Sequence, residues 1–181
     1  MNSEKQATLS SQLLRNQPVP EALIAAWDDS DQEDKSVLIP FGEVEFVSTL
    51  DDEFFAGYTE CGGDKAMAAA FSHMFKQIAF FGREADGALL GYWLKEEGAL
   101  VKDAPVVELS NEGSWYLTPN LQDHFILKAQ MEGEESDVVT VKSFFKTKGL
   151  ATRSPDEIEA WADEQESPEE TFDTFLEELT R

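Results

Sequence analysis

The residue types that most often carry enzymatic or metal chemistry are scarce in this chain. It holds two histidines, His73 and His124, and one cysteine, Cys61, among its 181 residues. A structural zinc centre normally takes four Cys or His ligands, so these three side chains exclude one of the usual composition. A Cys–His nucleophile pair is arithmetically possible, but the segment ECGGD around Cys61 offers no positive charge to activate a thiol. We expect each histidine to be an ordinary hydrogen-bonded residue of the fold.

Motifs that bind phosphates, metals or catalytic nucleophiles are missing from the sequence. The chain contains no P-loop, no dinucleotide fingerprint, no G-x-S-x-G and no H-E-x-x-H. The run DDSDQED (28–34) resembles a calcium loop only in its acidity, because a loop that starts at Asp29 has Asp34 where the sharp turn requires glycine. We therefore expect a protein that is not an enzyme and that has no metal site and no cofactor.

The composition describes an acidic, folded protein. Against 37 Asp and Glu the chain has 14 Lys and Arg, a formal net charge of −23, while 41% of its residues are hydrophobic. This length and apolar fraction suit one domain with one core. The charge repels phosphate backbones and anionic lipids, so we expect no direct nucleic-acid partner and no membrane partner. Without a signal-peptide pattern or a long apolar run, the chain is predicted to be soluble and cytoplasmic.

The elements that must position these side chains are those of an α+β fold. Apolar runs separated by turn residues predict two β-hairpins, 78–81 with 88–94 and 105–109 with 114–118. Residues 37–47 are expected to add an edge strand, because Pro40 is unsuited to a central one. We predict an antiparallel sheet of four or more strands with helices packed on one side.

Helices are predicted both before and after these strands along the chain. Helical spacing of apolar residues follows Asp64, and Thr118-Pro119 has the pattern of an N-cap and first helical residue for a helix through Met131. Residues 138–149 fit either a helix or a strand, and we favour the helix. Residues 28–35 are interpreted as a solvated linker.

The C-terminal segment contains two predicted helix starts. Ser154-Pro155-Asp156-Glu157 and Ser167-Pro168-Glu169-Glu170 both have the pattern of a capping box with proline at the first helical position. Apolar residues at helical spacing follow each start, so both helices have a face that can pack on the core. We predict a single domain over 1–181, with a core at about 37–150 and an acidic helical C-terminal extension over 151–181.

The charge changes sign within the last third of the chain. Residues 132–137 and 155–181 are strongly acidic, whereas residues 138–154 carry four cations and no acid: Lys142, Lys146, Lys148 and Arg153. We interpret this basic segment as surface that the neighbouring acids neutralise, because single surface ion pairs contribute little.

The order of the central motifs resembles the SUKH superfamily, which joins fungal cell-wall synthesis regulators of the Smi/Knr type to many bacterial immunity proteins. The strings that carry the resemblance are ECGGDK, IAFFGREADGALLGYWL and PVVELSNEGSWYLTPNLQDHFILKA, within about residues 49–131. The N-terminal part departs from the family pattern. Trp27 can stand for the tryptophan-bearing helix, but Leu50-Asp51 stands where Leu-Pro is expected.

The resemblance implies a non-catalytic α+β protein that binds another protein. Bacterial members typically neutralise toxins, often nucleases, and an acidic inhibitor suits the basic substrate groove of a nuclease. We therefore predict an immunity protein whose partner is a cognate, basic toxin bound stoichiometrically; the alternative is a scaffold or regulator of the same family with no toxin. The residues predicted to bind the partner are Trp161, Asp163, Glu164, Glu169, Glu170, Asp173, Glu177 and Glu178. Solvated helix faces explain the same acids equally well.

Overall fold

The computed structural model describes residues 1–32, 35–41, 43–47, 50, 55, 58, 63–95 and 99–181. Its helices are α1 Ser3–Gln12, α2 Glu21–Ser30, α3 Lys65–Phe75, α4 Leu121–Glu132, α5 Glu135–Thr147, α6 Pro155–Asp163 and α7 Pro168–Thr180. Its strands are β1 Val44–Phe46, β2 Ile78–Glu84, β3 Leu89–Trp93, β4 Val106–Leu109 and β5 Trp115–Thr118. None of the helices in these ranges is long and apolar enough to cross a membrane.

The strands form one antiparallel sheet in the order β1-β2-β3-β4-β5. Both predicted hairpins are present, and glycine supplies the left-handed backbone that each turn requires, with φ of 96° at Gly87 and 89° at Gly113. The expected edge strand is confirmed as the short β1. Pro40 precedes it in a 3₁₀ turn, Ile39–Phe41, where its missing N–H is not needed by the sheet.

Helices cover both faces of the sheet, whereas the sequence analysis placed them on one. Along β3, Leu90 and Tyr92 join a first core with α1, α2, α4 and α5. Leu89 and Trp93 point the other way and join a second core with α3 and α7. Since every residue of β3 is buried, the strand has no solvent face, which is the pattern of a sheet covered on both sides.

The two predicted C-terminal helices are confirmed, and both are docked on the sheet. Ile158 of α6 is fully buried in the first core, and Phe172 of α7 is 7% exposed in the second core. Both helices also contact β5. The C-terminal extension therefore passes along the β5 edge of the sheet and contributes to both cores.

The caps of these two helices differ. Ser154 and Glu157 form the predicted reciprocal capping box of α6. Ser167 caps α7 differently from the prediction, because its hydroxyl accepts the N–H of Glu169 at 3.1 Å and no return bond from Glu170 is made.

Three other expectations are resolved by local hydrogen bonding. Residues 138–149 are helical, as favoured, since most of them lie in α5. Thr118 ends β5 instead of capping α4; the cap is Asn120, whose side chain accepts the N–H of Asp123 at 2.9 Å. Residues 28–30 belong to α2 and are not linker, because the buried carboxylate of Asp29 accepts the N–H groups of Val37 and Leu38.

Candidate functional site

The acids predicted to bind a partner are held mainly by α7, which packs on the second core through buried Phe172 and the partly buried Phe175 and Leu176. The ring of Phe172 packs 4.7 Å from that of Phe71 and 6.0 Å from that of Trp115, centroid to centroid. With this side of the helix buried, the opposite side faces solvent. We call four of its exposed carboxylates the acidic face: Glu170, Asp173, Glu177 and Glu178.

The acidic face lines a groove of about 640 Å³ between α7 and α3. The rings of His73 and Phe175 stack in its wall, 3.8 Å apart and nearly parallel. His73 is oriented by Gln77, whose side-chain nitrogen lies 3.0 Å from Nε2 of the imidazole. A flat aromatic surface beside several carboxylates is a good receptor for a guanidinium or ammonium group, which can pair with the acids and stack on the rings.

Most of this negative charge is uncompensated within the described part of the chain. Glu177 pairs with Arg181 at 3.0 Å, and neighbouring Glu166 pairs with Lys95 at 3.0 Å. Hydrogen bonding to Lys95, together with its charge, lowers the pKa of Glu166 below its usual value. Glu170, Asp173 and Glu178 have no cation within ion-pair distance among the described residues. They are therefore available to an external cation.

The other predicted residues lie apart from this groove. Asp163, in α6, lines a different groove of about 300 Å³ beside β5. Trp161 is half-buried, Glu164 is exposed at the end of α6, and Glu169 is exposed in the first turn of α7. The structure thus brings together four of the eight predicted residues.

Five residues that line the groove were not predicted as partner-binding residues: His73, Glu166, Thr171, Thr174 and Phe175. Glu166 precedes α7 and belongs to the same acidic run, so its omission was avoidable. His73 lies 102 positions before Phe175, and no local pattern joins them.

A second cluster of ionisable groups is buried between the sheet and α4. Glu84 of β2 and Glu108 of β4 flank Lys128, whose Nζ lies 2.8 Å from Oε2 of Glu84 and 3.2 Å from Oε1 of Glu108. His124, one turn before Lys128, places Nε2 3.2 Å from Oε1 of Glu84 and Nδ1 3.8 Å from Oε2 of Glu108. We call these four side chains the buried ion-pair ring.

The environment of the ring favours the charged forms of Glu84 and Lys128. Burial acts to raise the pKa of Glu84, but the hydrogen bonds and charges of His124 and Lys128 outweigh it and leave this pKa below its usual value. Burial likewise acts to lower the pKa of Lys128, but the hydrogen bond that its ammonium donates to Glu84 and the charges of both glutamates leave this pKa raised. Glu84 and Lys128 therefore stabilise each other's charged form.

The buried ion-pair ring contains three potential metal ligands but does not fit a metal ion. One ligand atom each of Glu84, Glu108 and His124 lie within 4.8 Å of one another. The ammonium of Lys128, however, already bridges the two carboxylates and would repel a second cation from the same place. We interpret the ring as a structural ion-pair network.

The histidines behave as the sequence analysis expected. His73 and His124 are each hydrogen-bonded, and they lie on opposite faces of the sheet, one on α3 and the other on α4. The two cannot therefore serve one site. Cys61, the arithmetically possible partner of either histidine, lies outside the described residues, so the expectation that no Cys–His pair forms stays a prediction.

No protein-family model, no curated protein and no solved structure matches this chain. The resemblance to the SUKH superfamily therefore rests on the residue strings alone and remains a prediction.

Proposed function

We propose that this protein binds a basic protein partner through the acidic face of α7, stoichiometrically and without catalysis, as an immunity protein binds a toxin. The observation that carries the proposal is the groove beside α7, in which Glu170, Asp173 and Glu178 have no cation among the described residues. α7 is anchored by Phe172, so these carboxylates are presented from a fixed helix and not from a loose tail.

The physics of association supports a binding role for such a surface. A patch of one sign with few internal partners steers an oppositely charged protein and raises the association rate by roughly 10- to 1000-fold at low salt. The stacked rings of His73 and Phe175 add an apolar surface beside the acids, as an interface needs for its buried centre. A basic partner gains from both, whereas an anionic substrate would be repelled.

The experiment needs a partner and a charge-matched control. If the gene beside this one encodes a toxin with a basic domain, the protein is combined with that domain, and association rates are measured by stopped flow from 25 to 300 mM NaCl. In the test variant, Glu170, Asp173 and Glu178 are replaced by lysine. In the control, three exposed acids elsewhere, Glu4, Glu43 and Glu112, are replaced by lysine and change the net charge equally.

We expect the α7 variant to associate at least about tenfold more slowly at 25 mM NaCl, with a flatter dependence on salt, and the control to change much less. Equal effects in both variants would show that only net charge matters and would refute the acidic face as the site. Absence of binding by the unmodified protein to the neighbouring domain would favour the alternative function, a scaffold or regulator with no toxin.

A further inference from the structure

The basic segment within residues 138–153 forms a groove of its own on the opposite side of the sheet from α7. Lys142 and Lys146 lie one turn apart on α5 and line a groove of about 700 Å³ with Val139, Ser143 and residues 149–152. α5 contributes Val141 and Phe145 to the first core, whereas α7 belongs to the second. We call this feature the lysine groove.

The lysines of this groove are not neutralised, contrary to the expectation from the sequence. Of the four cations in the segment, Arg153 is paired, with Nη1 2.6 Å from Oδ2 of Asp123. Among the residues that the structure describes, no carboxylate lies within 4 Å of Lys142, Lys146 or Lys148. Three unpaired cations close together are unexpected in a chain with 37 acids.

An acidic residue of α6, Glu157, interacts with Lys142 through charge, but its carboxylate already accepts hydrogen bonds from Ser154. The pKa of Glu157 is lowered chiefly by hydrogen bonds from the backbone and side chain of Ser154, with a smaller contribution from the charge of Lys142. Both Ser154 groups lie 2.7 Å from the same carboxylate oxygen, and Glu157 is not among the residues that line the groove.

The groove also offers neutral donors and apolar surface. The hydroxyl groups of Ser143 and Thr152 make no hydrogen bond within the described part of the chain, although both residues line the groove. Val139 is 62% exposed and Leu150 is half-buried. The groove therefore combines two ammonium groups and two hydroxyl donors with a short apolar strip.

Helix electrostatics explain only part of this arrangement. Cations near the carboxyl end of a helix interact favourably with its dipole, which accounts for Lys146 and Lys148 at the end of α5. Lys142 lies a full turn earlier, where this effect has fallen away. Its position beside an open groove needs another reason.

We propose that the lysine groove binds an acidic segment of a partner protein, with two of its carboxylates on Lys142 and Lys146. Side chains at i and i+4 of a helix are about 6 Å apart, and alternate residues of an extended strand are separated by about 6.6 Å. An extended Glu-x-Glu segment matches that spacing, because its two glutamate side chains project to the same side of the strand.

A short acidic segment fits this surface better than a nucleic acid does. A duplex would extend beyond the groove, whereas Lys142, Lys146 and Lys148 are confined to the last two turns and the C-cap of α5. Glu134 and Glu135, at the other end of the same helix, would repel phosphates beyond the groove, as would the net charge of −23. The site lies on a different helix and face from the acidic face of α7, so this proposal does not depend on the proposed function.

The test uses the ¹⁵N-labelled full chain and a blocked peptide, acetyl-Gly-Glu-Val-Glu-Gly-amide, titrated at 50 mM NaCl and followed by amide chemical shifts. We expect saturable shifts confined to residues 139–152. Replacing Lys142 and Lys146 by glutamine should weaken the apparent affinity at least fivefold. The matched control replaces Lys65 and Lys76, two exposed lysines of and beside α3, by glutamine and should change it less than twofold.

Other ligands distinguish an acidic-peptide site from nonspecific binding, a nucleic-acid site and a simple anion site. Equal binding of acetyl-Gly-Lys-Val-Lys-Gly-amide, shifts scattered over all lysine-bearing surfaces, or insensitivity to the Lys142/Lys146 substitution would overturn it. Tighter binding of a 12-base-pair DNA duplex at the same residues would assign the groove to nucleic acid instead. Saturation by inorganic phosphate as readily as by the acidic peptide would reduce it to a simple anion site. Thermal melts of each variant confirm that the fold is retained.

Discussion

At the scale of single residues, the buried ion-pair ring shows how a charged group becomes a requirement of the fold. Lys128 is mostly buried and compensates two carboxylates that are also buried. Burying charges costs more than their attraction returns unless every partner is present, so the loss of one member leaves the others uncompensated.

We therefore expect Lys128→Met, which keeps the length and removes the charge, to lower the free energy of unfolding by about 3 kcal/mol. Urea unfolding measures it. The control is Lys5→Met, which breaks the solvent-exposed pair with Asp31 at 3.7 Å and should cost less than about 1 kcal/mol. Equal losses in the two variants would mean that the ring contributes no more than a surface pair.

The ring also predicts how stability depends on pH. Because the pKa of Glu84 is lower in the folded chain than its ordinary 4.5, its contribution is complete above that value and is lost as pH falls through the depressed folded pKa. Urea unfolding of the unmodified protein and of Glu84→Gln between pH 3 and 7 isolates this effect from the general relief of acid repulsion. The stability difference between the two should shrink below pH 4.5; a constant difference would contradict the depressed pKa.

The ring could not have been predicted from the sequence, for a physical reason. Lys128 lies 44 residues from Glu84 and 20 from Glu108, so only the pairing of β2, β3 and β4 brings the charges together. What the sequence did contain was a glutamate inside the apolar strand PVVEL, and a buried carboxylate requires a partner. The identity of that partner is a property of the tertiary structure.

At the scale of elements, the docking of α7 depends on Phe172. Its ring fills a space between Phe71 and Trp115. Replacing a large side chain by a small one at such a position buries less apolar surface and also leaves a cavity. Phe172 and Pro168 are the buried residues of α7, and Phe175 and Leu176 pack beside them partly buried, so Phe172 is the largest buried side chain that attaches this helix.

We expect Phe172→Ala to lower the free energy of unfolding by about 3 kcal/mol and to make residues 165–181 accessible to protease. Leu179→Ala, at a position 44% exposed on the same helix, is the control and should change stability by less than about 0.5 kcal/mol. Cleavage that stays as slow as in the unmodified chain would show that the remaining contacts hold α7 in place.

Element prediction succeeded where the signal was local. Asp86-Gly87 and the glycine at 113 define the two hairpins through backbone geometry that few other residues adopt. The start of α4 was misplaced because Thr118-Pro119 and Asn120 are all plausible helix-start residues, and the choice depends on where β5 stops pairing with β4. A helix boundary next to a strand is thus set partly by the sheet.

At the scale of the whole molecule, the sheet has two cores, and the C-terminal extension serves both. The apolar run IAFF is buried on both sides of β2, a pattern that indicates a two-sided sheet and that the one-sided prediction overlooked. The extension adds Ile158 to one core and Phe172 to the other. It is therefore part of the folded unit, although the sequence analysis described it as an addition to the core.

The net charge of −23 gives the last prediction, which concerns the whole molecule and the acidic face together. Self-repulsion of like charges destabilises the compact state. Salt weakens this repulsion, because the Debye length falls from about 30 Å at 0.01 M to about 10 Å at 0.1 M. We expect the urea midpoint to rise as NaCl increases from 10 to 300 mM.

In the double variant Asp173→Asn/Glu178→Gln, the urea midpoint at 10 mM NaCl should be higher than in the unmodified protein. Asp173 has no cation among the described residues, and Glu178 lies at the carboxyl end of α7, where the helix dipole disfavours an anion. The gain over the unmodified protein should then diminish with salt. A surface that binds a cationic partner is expected to carry carboxylates that lower the stability of the free protein. A lower midpoint for the variant would show instead that these charges serve the fold, and would remove the main reason to place a partner on α7.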